Sequence, residues 1–217
     1  MTRPDYIQAV KAKLEEISPF DEPASFIAAD PDEQGKIKPI QSYIDSELDR
    51  AARYCLNTLP LSLLSKDVTS SDKNASVDEG GVGHIGEMSQ YLRLVRVHDN
   101  GKVWKRDVTA FMTTSDALYL LQQNVFTRGG VAKPVVVINP EQGELELFSF
   151  PPKLGLKTES LKVYYIDGSV VAESVKSDIS EYIILVCAAY VAEILQDTNR
   201  ATTLRTEFQE KVASIII

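Results

Sequence analysis

The sequence predicts an α+β chain: a helical bundle formed by N- and C-terminal helices, with an inserted antiparallel β region. Three observations carry that expectation. Apolar residues recur at helical spacing near both ends of the chain. They alternate at a spacing of two through the middle. Residues 181–195 form an almost uncharged run which, coiled as a helix, is apolar on every side and must be buried on every side.

Residues 5–17 read as the first helix, with Ile7, Val10, Leu14 and Ile17 on one face and Lys11, Lys13, Glu15 and Glu16 opposite. Ser18-Pro19 ends it, because proline cannot continue the hydrogen-bond ladder. Residues 20–38 carry Pro23, Pro31 and Gly35 among acidic residues and read as an extended arm with Phe26 and Ile27 as apolar anchors. Connections of that length usually serve binding. A second helix opens at Pro39 and carries one stripe of Ile40, Tyr43, Ile44, Leu48, Ala51, Ala52, Cys55 and Leu56. Pro60 interrupts it, and Leu61, Leu63 and Leu64 continue at an angle. Residues 65–83 are rich in Ser, Asp, Asn and Gly without periodicity, and read as a mobile loop.

From Gln90 the pattern is that of strands. Residues 91–97 and 102–108 flank His98-Asp99-Asn100-Gly101, and Asn-Gly is the strongest short hairpin signal because both turn residues accept positive φ. Ser115 and Asp116 suit the cap of a short helix with Leu118, Leu121 and Val125 turned inward. Residues 135–138 and 144–148 read as two more strands. In the second, Leu145 and Leu147 alternate with Glu144 and Glu146, which predicts one wet face. Residues 161–166 form another strand, stopped by Asp167-Gly168. Asp178 or Ser180 then caps the apolar helix, and a last helix over 202–213 carries Leu204, Phe208 and Val212. Ile215, Ile216 and Ile217 leave three β-branched residues at the end, which is expected to dock on something. The expected organisation is 1–64 as N-terminal helices and arm, 65–89 as a flexible loop, 90–173 as the β-rich insertion, and 174–217 as C-terminal helices and tail closing the bundle.

Composition narrows the function classes. A net charge of −8 argues against a protein whose task is to grip phosphates, since that needs a basic face. The two cysteines, Cys55 and Cys187, sit in apolar helical patterns and read as buried free thiols. The longest uncharged stretch, residues 182–192, is shorter than the roughly 20 apolar residues a bilayer span takes, and no apolar signal core follows the N-terminus. No membrane partner is expected.

The motifs are weak. Gly81-Val82-Gly83-His84-Ile85-Gly86 fits G-x-G-x-x-G, but a dinucleotide site needs a strand before it and a helix after it. A polar stretch precedes it here and strand-like residues 91–97 follow. His84 and His98 have no Cys, Asp or Glu at metal-ligand spacing, and no nucleophile elbow is present. Catalytic, cofactor and metal residues are therefore assigned to none. Arg93, Arg96, Lys102, Lys105 and Arg106 make the hairpin locally basic around Trp104, suited to a phosphate backbone or, better, to an acidic face of a neighbouring subunit. Ala188 and Ala189 permit close approach of another helix along the apolar run.

The string Ile40-Gln41-Ser42-Tyr43-Ile44-Asp45-Ser46-Glu47-Leu48-Asp49-Arg50-Ala51-Ala52, continuing through Leu59-Pro60 to Leu64, resembles the long helix of tailed-phage neck proteins, especially ring proteins of crAss-like phages. The strand-rich middle and the closing apolar helix fit the same order. The resemblance implies a non-enzymatic head-to-tail connector: a homo-oligomeric ring in the virion, often of about twelve copies, docked on the portal or a neighbouring neck ring and leaving a channel for DNA. An acidic subunit suits a lumen along which DNA slides. The contacts then expected are Phe26 and Ile27 of the arm, Trp104, Ala188, Ala189, Phe208, and Ile215, Ile216 and Ile217 of the tail. Two rival readings remain from the residues: an intracellular nucleotide-binding enzyme using the 81–86 glycine loop, and a cellular protein-interaction module without ring symmetry.

Overall fold

The computed structural model describes residues 1–17, 40–87, 90–100, 103–151 and 157–215. They form two compact units, one of Met1–Asp67 with Ser169–Ile217, the other of Val68–Gly168. The helices are α1 (Arg3–Ile17), α2 (Ile40–Thr58), α3 (Tyr119–Gln122), α4 (Ser180–Ile194) and α5 (Thr198–Ile215). The strands are β1 (Val68–Val77), β2 (Val82–Ile85), β3 (Tyr91–Asp99), β4 (Met112–Thr113), β5 (Val135–Asn139), β6 (Glu144–Phe148) and β7 (Lys157–Asp167).

In the first unit α4 packs against α1, α2 and α5. Its all-round apolarity is thereby satisfied within the unit: Ile183, Cys187, Ala188, Val191 and Ala192 are buried among the other three helices. Both cysteines are buried free thiols, and burial pushes Cys187 up to about 12 and Cys55 higher still. The helix ends explain the boundaries. Thr2 and Asp5 cap α1 reciprocally, Thr2 N donating to the Asp5 carboxylate at 3.0 Å, so the helix begins before Asp5. At the end of α4, Gln196 adopts φ 60° while Gln196 N bonds to Glu193 O and Asp197 N to Ala192 O, a Schellman turn. Asp197 Oδ1 then accepts Arg200 N at 3.0 Å, capping α5 four residues earlier than its apolar pattern predicts. Arg3 joins Asp45 at 2.5 Å, Asp49 at 3.3 Å and Glu173 at 3.5 Å, tying α1 to α2 and to the 3-10 turn Ala172–Ser174.

The second unit corrects the predicted architecture. It is a seven-stranded, mixed, curled sheet, a half-barrel, in the order β3-β7-β1-β2-β6-β5-β4, where a helical bundle with an inserted antiparallel β region was expected. All pairs are antiparallel except β4 with β5. The main reason is the polar stretch read as a mobile loop over 65–89. Residues 68–77 are β1, paired along their whole length with β7 from Val68↔Ile166 to Val77↔Lys157. Ser70, Asp72, Asn74 and Ser76 face water, while Ala75 and Val77 face the core. Period two is there, but its inward side chains are too small or too mixed to reveal it. The glycine motif is likewise β2. Gly83 is required because a Cβ there would lie 2.8 Å from the Phe150 ring, and no helix follows.

The expected 91–97/102–108 hairpin is also corrected. β3 pairs with β7, and among the described residues only Val97↔Val108 bridges to the other segment. Asp99 decides this: its carboxylate accepts Val103 N at 2.5 Å and Trp104 N at 2.8 Å, turning the chain inward. Trp104 consequently sits in the core at 8% exposure, 5.5 Å from Phe150, together with Ala75, Val97, Leu145 and Val163.

Candidate interaction surface

The face of β5 and β6 that the alternation predicted to be wet is roofed by residues 114–129. Glu146 is 6% exposed, and its carboxylate accepts Asn139 Nδ2 at 2.7 Å and the Tyr119 hydroxyl at 2.9 Å. Burial, and then the bond to Glu146, push the Tyr119 phenol above its ordinary range, which keeps it protonated as the donor. Tyr119 also stacks edge-on against Phe148 at 6.3 Å. One turn along, Gln122 is buried and its Oε1 accepts Gly129 N at 2.8 Å. Tyr119 and Gln122 stand three apart on α3 and face inward together.

Tyr119 and Gln122 of this roof therefore point in and its large apolar residues point out. Phe126 is 97% exposed, Leu120 75%, Val125 62%, Leu118 56% and Leu121 47%. This reverses the expected inward placement of Leu118, Leu121 and Val125. The reason is that a buried carboxylate needs hydrogen-bond donors over it more than a hydrophobic lid, and Tyr119, not its leucine neighbours, supplies one. The tip is fixed by its own bonds. Phe126 N donates to Asn124 Oδ1 at 3.0 Å, Arg128 N to Asn124 O at 2.9 Å, and the Thr127 hydroxyl to Leu121 O at 2.7 Å. Residues 117–127 carry no charge. A rigid, uncharged knuckle with five large apolar side chains in solvent is the feature of this fold that monomers rarely keep.

The sequence-predicted contact residues fall in several places. Trp104 and Ala188 are core, Ala189 and Phe208 are buried among helices, and Ile215 is half-buried at the end of α5. Phe26, Ile27, Ile216 and Ile217 lie outside the described residues. The basic cluster is partly neutralised: Arg96 pairs with Asp107 at 3.4 Å and lies 3.9 Å over the Tyr164 ring. His98 Nδ1 bonds Asp107 at 2.7 Å and His84 Nδ1 bonds Glu144 at 3.2 Å. Neither imidazole is joined to a serine, threonine or cysteine among the described residues, so neither dyad extends to a nucleophile. No group of three or more His, Cys, Asp or Glu suited to a metal occurs among the described residues, and no helix there is long and apolar enough to cross a membrane. Compared with known families and curated proteins, the chain matches none. The signal that could have found the knuckle was the run Leu118-Tyr119-Leu120-Leu121, too crowded with apolar residues for a helix that must also lay Tyr119 over a glutamate.

Proposed function

We propose that the protein is a structural subunit without catalytic function that assembles with further copies of itself, and that the assembly is a ring of a phage virion neck through which DNA passes. The observation that carries self-assembly is the 118–126 knuckle. Phe126 alone, moved from water into a protein interface, is worth about 1.5–3 kcal/mol, and four further apolar side chains accompany it. Because the tip is already ordered, little conformational entropy opposes docking.

The ring and its location rest on different support: the resemblance of residues 40–64 to the long helix of neck proteins, and the net charge of −8, which suits a wall along which DNA slides. Native mass measurement of the full chain across a concentration series tests the reading. A discrete multiple of 24.1 kDa supports self-assembly, and joining portal particles supports the neck location. A chain that stays monomeric at every concentration, alone and with portal particles, refutes it.

A further inference from the structure

The helical unit holds a cleft that matches the knuckle in chemistry and in size. It opens between α2, α4 and α5, has a volume of about 100 Å³, and is floored by Val186, Ala189 and Leu204. Its walls are aromatic. Tyr54, itself 43% exposed, stands edge-on to Tyr190 at 6.3 Å and 5.9 Å from Phe208. An apolar cavity of about 150 Å³ takes up a benzene molecule, so an open cleft somewhat smaller than that is the right scale for one phenyl ring. The charges at its rim are already used: Arg50 pairs with Glu47 at 3.1 Å and lies over the Tyr190 ring, and Arg205 pairs with Glu193. An uncharged guest enters without stranding an ion.

We infer that the Phe126 tip of one copy seats in the Tyr54–Tyr190–Phe208 cleft of a second copy. This rests on the self-assembly reading and names its contact. A second copy is selected as the occupant because the chain itself carries the complementary part. Among the described residues it has a protruding, uncharged, pre-ordered phenyl group and a phenyl-sized cleft with uncharged floor and paired rim. Each copy then offers a knob from its sheet unit and a cleft from its helical unit, a heterologous contact that closes into a ring when its rotation permits and runs on as an open filament when it does not.

The test uses the full chain and three variants: Phe126→Asp removes the knob, while Tyr54→Glu and, separately, Gln209→Arg put charge at the cleft mouth. Positions 54, 126 and 209 are all exposed, so each variant is expected to keep its far-UV spectrum and melting transition. Every one should raise the concentration of half-assembly by at least about tenfold. Mixing is the sharper arm. Phe126→Asp retains a working cleft and Tyr54→Glu a working knob, so a mixture should form a one-to-one pair and stop there. If the wild-type chain assembles but Tyr54→Glu and Gln209→Arg assemble equally well, the cleft assignment is overturned and self-assembly stands. If the wild-type chain is monomeric throughout, both fall. A mixture that rebuilds the full oligomer, or forms no pair, also overturns the contact.

Discussion

Gly129 and Gly130 offer a matched pair of perturbations on the knuckle. A Cβ at position 129 would lie 2.5 Å from the Phe148 carbonyl oxygen and 2.7 Å from Val135 Cγ2, whereas a Cβ at 130 meets nothing within 4 Å. The first obstacle is strand backbone, so Gly129→Ala must lift the roof by about 1 Å to reach ordinary contact. Overpacking of this kind costs about 1–3 kcal/mol, and the Gly129 N–H to Gln122 bond, worth about 0.5–1.5 kcal/mol, is lost with it. Reduced entropy of the unfolded chain returns about 0.4–1 kcal/mol at either position. Gly129→Ala should therefore lose about 1–3.5 kcal/mol and Gly130→Ala should be neutral or slightly stabilising. Trp104 is the single tryptophan and lies in the sheet core, so urea unfolding followed by its fluorescence reads the sheet unit alone. The midpoint for Gly129→Ala should fall by about 1–2 M. A loss under about 0.5 kcal/mol, or an equal loss at both glycines, would refute the account of how the roof is seated.

Other substitutions probe the remaining elements. Asp99→Ala frees the buried amide of Trp104 and the half-buried amide of Val103, and should cost about 2–4 kcal/mol with red-shifted Trp104 emission; unchanged emission would mean that Asp99 does not set the turn. Gln196→Gly relieves a left-handed residue at the α4–α5 turn and should raise helical-unit stability by about 0.5–1 kcal/mol, read by circular dichroism on thermal melting. The two thiols supply a pH dependence. Each is neutral when folded and ionises near its ordinary value of 9.0 when unfolded, so their contribution is whole below that pH and is lost as pH rises from 9.0 toward about 12. Stability should fall by about 1.4 kcal/mol per pH unit for each thiol, and the Cys55→Ala/Cys187→Ala variant should show a shallower slope above pH 9. An identical slope would show that the thiols are not protected by burial.

How much of this was legible followed the size of the buried side chains. The stripe Ile44, Leu48, Cys55 and the run 183–192 mark α2 and α4 plainly, because each buries large or densely packed groups at helical spacing. β1 escaped because a strand whose outer face is Ser70, Asp72, Asn74 and Ser76 has a loop's composition, and its identity resides in its partner β7. The Asn100-Gly101 signal misled because turn propensity is local, while Asp99 reaches forward to two amides and overrides it. The candidate site was hidden for a related reason. Which way α3 faces depends on Glu146, twenty-seven residues from Tyr119, and no periodicity in nine residues records that distance.

The sheet's own edges argue that the proposed assembly would run through side chains rather than through strand pairing. An open half-barrel presents two edges, and exposed edges are templates for uncontrolled association. One edge is β4, two residues long, too short to template a partner. The other is β3, whose pairing with β7 shifts register between Tyr91 and Arg93 and again between Leu94 and Arg96. Two irregularities within six residues twist that edge out of line, and Arg93 and Arg96 add charge to it. Its far end is closed by the Val97↔Val108 bridge. A fold that protects both edges yet leaves Phe126 and Leu120 in water treats its two kinds of sticky surface differently. Strand edges accept almost any extended chain, whereas a phenyl group on a fixed turn accepts only a cleft of its own size. In the proposed assembly, restricting exposure to the second kind would make the association specific and end it where the ring closes.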